Sequence, residues 1–213
     1  MTLKKASLLI IVILIIDQAS KLYVKTHFTI GEDVQVFSWF KILFIENPGM
    51  AWGTKLSDFV SFISDGTAKV MLTIFRIIAV CFIGYWLIDS IRRHANKVLV
   101  IGVSLILAGA LGNIIDSVFY GILFTDSNGA IAEMFHENGG YGHLLQGKVV
   151  DMLYFPIWKG YLPEWLPFWG GKYFTFFEPV FNVADVAISS GVGLLLVFNK
   201  KAFRNNSEMP LEN

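Results

Sequence analysis

The sequence predicts a mainly helical, polytopic membrane protein with four spanning helices. Three observations carry that expectation. The chain is 54% hydrophobic and only 16% charged over 213 residues, where a soluble domain averages about 25% charged. Its charges cluster between long apolar runs. Four of those runs, 6–24, 70–88, 98–124 and 179–198, have about the 20 predominantly apolar residues that a helix needs to cross a bilayer. Net charge is zero and pI about 6.9, so nothing in the charge balance suggests a nucleic acid as partner.

The first run follows Lys4 and Lys5 in the manner of a signal peptide, but no small-x-small cleavage site ends it. Asp17-Gln18 comes instead, which makes it an uncleaved first span. Orientation follows from basic-residue density near the helix ends. Lys4 and Lys5, then Arg92, Arg93 and Lys97, then Lys200, Lys201 and Arg204 sit in three short segments on one side. Lys25, Lys41, Lys55, Lys69, Lys148, Lys159 and Lys172 are spread thinly over much longer stretches on the other. Both termini are therefore expected in the cytoplasm, with 1–203 as a single membrane domain and 204–213 as a polar cytoplasmic tail.

At about 1.5 Å of rise per residue, the orientation fixes the depth of each polar residue. Asp17 comes late in an outward-running helix, Asn113 and Asp116 late in another, and Asp185 early in an inward-running one. Asp151 precedes that helix on the outer side. All are expected near the outer face. Between the spans, 33–46 is rich in Val, Ile and Phe and reads as a strand or hairpin, which Asn47-Pro48-Gly49 ends as a turn. The stretch 154–177 holds Trp158, Trp165 and Trp169 among Tyr, Phe, Gly and Pro, the composition of a segment lying at the membrane interface. Anchoring is the simpler role for it, and gating of substrate the sharper one.

A carboxylate at mid-helix depth costs roughly 2.5–3.5 kcal/mol on insertion scales, so Asp17, Asp116 and Asp185 must face one another, water or a cation. Helical spacing permits this. Asp17 and Lys21 are i,i+4 and can pair. Gly109, Gly112, Asn113 and Asp116 form one stripe whose glycines admit a close neighbour. Asn182 and Asp185 are i,i+3, and Ser189 continues their face. Polar contacts between helices would explain any one such Asp equally well; several at one depth point to function.

Elimination narrows the chemistry. None of His27, His94, His136 or His143 falls within a span, so a buried Ser–His pair has no base. No H-E-x-x-H is present. Ser20 and Lys21 are adjacent and do not face each other on a helix. Cys81 is the sole cysteine and has no neighbouring base. Two aspartates sharing a proton remain, one to deprotonate a water and the other to protonate the carbonyl oxygen or leaving amine. A carboxylate relay for transport is the competing class, but it predicts inverted repeats and broken helices, and neither is visible. A structural scaffold is the third.

Five segments, in order, carry a resemblance: Asp17-Gln18-Ala19-Ser20-Lys21, Asn47-Pro48-Gly49-Met50-Ala51-Trp52-Gly53, the run from Gly109 to Asp116 (GALGNIID), Val149-Val150-Asp151, and Phe181-Asn182-Val183-Ala184-Asp185. Together the sequence resembles the lipoprotein signal peptidases (signal peptidase II). The resemblance implies four helices with a small extracytoplasmic β-element, in the bacterial cytoplasmic membrane. It implies cleavage of diacylglyceryl-modified prolipoproteins just before the lipid-bearing cysteine, without cofactor or metal, in contact with membrane lipid. Carried over residue by residue, Asp151 and Asp185 are its catalytic dyad. Asp17, Lys21, Asn47, Gly49, Gly109, Asn113, Asp116, Asn182 and Ala184 match supporting, substrate-binding positions. Two departures stand out. Many members have Arg where this chain has Ser117, and the segments 121–148 and 154–177 are longer than the usual pattern.

Two features are left with alternative readings. Arg76, in the outer half of the second span, either snorkels to headgroups or balances a carboxylate of the cluster. Glu133, His136, Glu137 and His143 match no metal-site spacing and read as a solvated, Gly-rich loop.

Overall fold

The computed structural model describes residues 1–48, 64–176 and 178–203. Gly49 and the rest of its motif through Gly53, and the 204–213 tail, lie outside the described residues. Among the described residues three helices are long and apolar enough to cross a membrane: α1 (Leu3–His27), α2 (Asp65–Arg92) and the run Lys97–Leu123. The third comprises α3 (Lys97–Ile115), a π-helical turn over Asp116–Tyr120 and a last α-turn, α4 (Gly121–Leu123). The fourth, α5 (Val183–Val197), has 15 residues, so it rises about 22 Å, less than a typical hydrocarbon core. It starts later than position 179 because Val180–Phe181 extend as a strand. A short α6 (Asn199–Ala202) follows it.

Local signals set the helix starts. Ser64 Oγ accepts from Thr67 N at 3.2 Å, and Asn96 Oδ1 from Val98 N at 2.9 Å, each satisfying an orphan amide of a first turn. The helices then pack through small residues, as membrane helices do. A Cβ on Gly109 would fall 2.1 Å from the Ala184 carbonyl oxygen, and one on Gly112 2.5 Å from Asp17 Oδ2. Those two glycines bring α3 onto α5 and onto α1. The outward faces stay apolar: Leu8, Ile11 and Ile15 of α1, Phe75, Phe82 and Tyr85 of α2, and Leu196 and Val197 of α5 are all exposed. Ser189 is exposed too, so the face expected to run from Asn182 through Asp185 to Ser189 turns outward before its last residue.

The hairpin expected over 33–46 is present as β1 (Asp33–Phe37) and β2 (Phe40–Asn47). It belongs to a larger antiparallel sheet of order β1-β2-β3-β6, in which β3 is Val149–Tyr154 and β6 Val180–Phe181. The aromatic stretch is no plain loop. Within it β4 (Trp158–Tyr161) and β5 (Tyr173–Phe176) pair as a two-stranded ribbon, with Tyr161, Trp165, Phe168 and Trp169 exposed.

The long 121–148 segment has a structural task. A π-turn and a helix end leave carbonyls without helical partners, which is costly in a membrane protein. Leu145 N donates to Val118 O at 3.0 Å, Gly147 N to Ser117 O at 2.9 Å and Gly142 N to Gly121 O at 2.8 Å. The segment is also pinned from below. Lys25 and Lys148 both pair with Glu46, and Ser127 Oγ lies 2.9 Å from Lys25 Nζ and donates to Glu46 at 3.0 Å. Burial works against the Glu46 charge, but the two lysines outweigh it and hold the carboxyl below its ordinary range.

Two apolar clusters frame what lies between. One holds Ala6, Leu87, Val100, Val103, Leu107 and Leu195; the other holds Val24, Phe28, Phe44, Tyr120, Phe124, Val150 and Met152 beneath the sheet. Along α1 and the third span, Asp17, Lys21 and Asp116 fall between the two clusters.

Candidate active site

Helices α1, α3 and α5, strands β2 and β3 and the π-turn after α3 deliver the polar residues to one place. The register of β2 against β3 pairs Ile45 with Asp151 and Asn47 with Val149, so Asn47 Nδ2 comes within 3.3 Å of Asp151 Oδ2. On the other side of β3, Leu153 pairs with Phe181. That brings the N-cap of α5, Asn182, beside the same carboxylate. Its Nδ2 donates to Asp151 Oδ1 at 2.7 Å, and lies 3.2 Å from both Val150 O and Asn113 Oδ1.

Asn182 also makes a reciprocal capping box with Asp185. Asp185 N donates to Asn182 Oδ1 at 2.9 Å, and Asn182 N to Asp185 Oδ2 at 3.3 Å. The i,i+3 spacing seen in the sequence is thus the spacing of an N-cap and its N3 residue. The Asn182 side chain thus holds the Asp151 carboxylate with its NH₂ and the Asp185 backbone N–H with its oxygen, while its own backbone N–H holds the Asp185 carboxylate.

Beneath them lies a buried ion cluster. Lys21 Nζ sits 3.0 Å from Asp17 Oδ2 and 2.9 Å from Asp116 Oδ2, and donates to Asn113 Oδ1 at 2.9 Å. Ammonium has only donors, so Lys21 fixes which way the Asn113 amide faces. Its Nδ2 is turned to Asp185 Oδ1, 3.0 Å away. Asp17 Oδ1 accepts from Ala184 N at 2.8 Å, and Asp116 Oδ2 from Val150 N at 3.2 Å. The supporting carboxylates therefore hold the backbone of α5 and β3 at the points where Asp185 and Asp151 are mounted.

Burial raises the Asp151 carboxyl, and the neighbouring charge of Asp185 raises it further. Hydrogen bonds from Asn47 and Asn182 and the field of Lys21 oppose this, leaving the group at about 7. Asp151 also lines a cleft of about 660 Å³ with Ile45, Asn47, Pro48, Glu178, Pro179 and Val180.

Of the positions expected from the sequence, Asp17, Lys21, Asn47, Gly109, Asn113, Asp116, Asp151, Asn182, Ala184 and Asp185 are gathered here. Gln18 and Tyr120 escaped that reading. Gln18 Nε2 donates to Asp17 Oδ2 at 3.0 Å and to Asp116 Oδ1 at 2.9 Å, and Tyr120 OH donates to Gln18 Oε1 at 3.2 Å. A glutamine next to an intramembrane Asp is the available signal, since a second polar group at that depth needs partners of its own.

The comparisons decide what this arrangement belongs to. Residues 9–200 match the sequence profile of signal peptidase (SPase) II. The chain belongs to the signal peptidase II family. A lipoprotein signal peptidase of Porphyromonas gingivalis is 46% identical over 195 residues, covering 91% of this chain and 82% of that one. One of Amoebophilus asiaticus is 42% identical, covering 88% and 74%. Two solved bacterial membrane enzymes share the fold. One, at 26% identity, has a TM-score of 0.60 and covers 93% of this chain and 94% of its own. The other, at 23% identity, has a TM-score of 0.59 and covers 98% and 96%. With this family and these neighbours the protein is an aspartic peptidase of the membrane, and the transport reading finds no support.

Proposed function

We propose that Asp151 and Asp185 are the catalytic dyad of a prolipoprotein signal peptidase that cuts diacylglyceryl-modified substrates just before the lipid-bearing cysteine. The observation that carries the proposal is that Asn182 holds both carboxylates, that of Asp151 through its side-chain NH₂ and that of Asp185 through its backbone N–H, with Asp151 on a cleft and titrating near neutrality. A dyad holding one proton can do both halves of a hydrolysis. The ionised carboxylate takes a proton from water as the water oxygen bonds to the scissile carbonyl carbon, while the protonated carboxyl gives its proton to the carbonyl oxygen. Collapse of the tetrahedral intermediate breaks the C–N bond: the carboxyl that took the water's proton gives it to the leaving amine of the cysteine, and the other carboxylate recovers a proton from a hydroxyl of the intermediate, which restores the singly protonated pair. The roles belong to the pair and are not divided between its members. Incubating the purified protein with a lipidated prolipoprotein peptide tests the function: shortening is expected, and an intact peptide under conditions where the protein stays folded overturns it.

In this reading the four spans cross the bacterial inner membrane with both termini in the cytoplasm, α5 completing its crossing with the residues that flank it. The sheet and the dyad then sit at the outer face. In a Cys81→Ser background, cysteines at Arg93 and Lys200 are expected to label from the cytoplasm. Cysteines at Asn128 and Trp165 should label from outside, and cytoplasmic labelling of Trp165→Cys would reverse the orientation. Position 127 is a poor probe, because Ser127 is buried against Glu46 and Lys25.

Glu178, Pro179 and Val180, which line the cleft, lie between the exposed aromatic ribbon and α5 in the chain. The ribbon's apolar tip suits the interface from which a lipidated substrate would arrive. Replacing Trp158, Trp165 and Trp169 together by Ser is expected to raise KM for a lipidated peptide about tenfold with a smaller change in kcat. Unchanged kinetics would reduce the ribbon to an anchor.

A further inference from the structure

We propose that Arg76 of α2 is a positioning residue for this reaction: its guanidinium stands beside Ser117 of the third span and balances the ionised dyad from a different helix. The inference rests on the dyad assignment and deepens it.

The geometry starts at Ser117. Its side chain is buried and spends its proton on Asn113 O, 2.9 Å away. Arg76 Nη1 lies 3.5 Å from the same hydroxyl oxygen. Arg76 is half-buried, within a helix whose neighbouring Phe75 and Ile78 are exposed and apolar. A guanidinium so placed is stabilised by an anion, and among the described residues the charges of Asp185 and then Asp151 act on it in that sense. The balancing reading of Arg76 is therefore favoured over snorkelling to headgroups.

The other charged groups around the dyad do not serve that purpose as well. Lys21, on α1, acts on Asp151 but is already shared between Asp17 and Asp116. Lys69, on α2 with Arg76, repels it and donates to Pro48 O at 2.7 Å. Asp17 and Asp116 carry like charge to the dyad and are held by Lys21 and Gln18. Asn47, Asn113 and Asn182 supply neutral donors from β2, α3 and the start of α5. Arg76 thus adds a permanent cation to a ring of amides. Its chemistry is electrostatic: a fixed positive charge favours the singly ionised pair over the fully protonated one, and no bond to it forms or breaks.

The test is the pH profile of kcat/KM on a lipidated peptide, read in wild type, Arg76→Lys, Arg76→Gln and Arg76→Leu, with Asp151→Asn alongside. Removing the cation makes each carboxyl harder to ionise, so both limbs of the bell should move to higher pH by about one unit in Arg76→Gln. At the acid end, below the shifted limb, the rate should fall about tenfold. Arg76→Lys keeps the charge and should stay within a few tenths of a unit of wild type. Arg76→Leu makes the span more apolar and easier to insert, so it supplies the same reading if the Gln variant does not accumulate. A loss of rate with unmoved limbs in both neutral variants would show a structural role only and overturn the inference. Cleavage by folded Asp151→Asn would instead overturn the dyad beneath it, so the two failures are distinguishable.

Discussion

Replacing either Asp151 or Asp185 by Asn is expected to abolish cleavage of a lipidated prolipoprotein peptide, with kcat lower by about 10³-fold or more. The double variant should be little worse than either single one, because the pair acts as a unit. The expected loss is chemical and not structural, and the electrostatics provide a control. Asp151 has its carboxyl raised to about 7 by burial and by Asp185. A carboxyl raised on folding contributes stability that is present below its unfolded value and is lost as pH rises towards the folded one. From about pH 4 to pH 7, then, Asp151 costs the wild type stability progressively, and Asp151→Asn avoids that cost. Part of the gain is offset, since the Asn amide turns its NH₂ towards one of two donors, Asn47 or Asn182. Thermal unfolding of Asp151→Asn in detergent should therefore be no earlier than wild type at pH 8, with the advantage shrinking towards pH 4. An inactive Asn variant that also unfolds early at pH 8 would leave the dyad unproved. A well-folded one that still cleaves would remove the aspartyl mechanism.

The same pair sets the shape of the wild-type profile. Activity requires one proton on two carboxyls, so kcat/KM should be bell-shaped, with the alkaline limb near neutrality where the pair gives up its shared proton.

How much of this was legible beforehand depends on the range of each interaction. The spans were readable because 20 apolar residues in a row have few other uses, and the Asp17–Lys21 pair because i,i+4 is local. Strand β3 was not read from periodicity. Val149–Tyr154 is buried on both faces except at Leu153, so it shows no alternation, and its existence depends on β2 about a hundred residues earlier and β6 after it. The two strands of the aromatic ribbon leave no clear pattern in the sequence, because they are four residues each and are interrupted by Gly160 and the prolines between them. The partner of Ser117 was beyond reach for the same reason. Arg76 and Ser117 lie 41 residues apart on separate helices, and nothing local to either announces the other. Asn182 stands in a motif, but its contact with the Asp151 carboxylate, beside its capping of Asp185, depends on the register of β3 and β6.

Lys21→Met should be the most damaging substitution outside the dyad. Lys21 is fully buried, as are Asp17 and Asp116. Removing the shared cation leaves two carboxylates facing each other, and breaking a buried pair in this way costs about 3–5 kcal/mol. Hydrogen bonds from Gln18, Ala184 N and Val150 N remain, but those donors hold the carboxylates in place without neutralising them. The loss should reach the site through Asn113. Without Lys21 on its Oδ1, that amide is free to turn its oxygen towards Asp185 and its NH₂ away, so Asp185 loses the donor now 3.0 Å away. Activity is expected to fall by at least about 10²-fold in whatever fraction stays folded, a loss of the size that misplacing a reacting group produces. Removing one of the two facing charges as well should lessen the damage: Lys21→Met with Asp116→Asn is expected to be more stable than Lys21→Met alone, a coupling that a double-mutant cycle in detergent unfolding would measure. Additive effects of the two substitutions, or a Lys21→Met protein that unfolds and cleaves like wild type, would show that the ion cluster does not carry the frame of the active site.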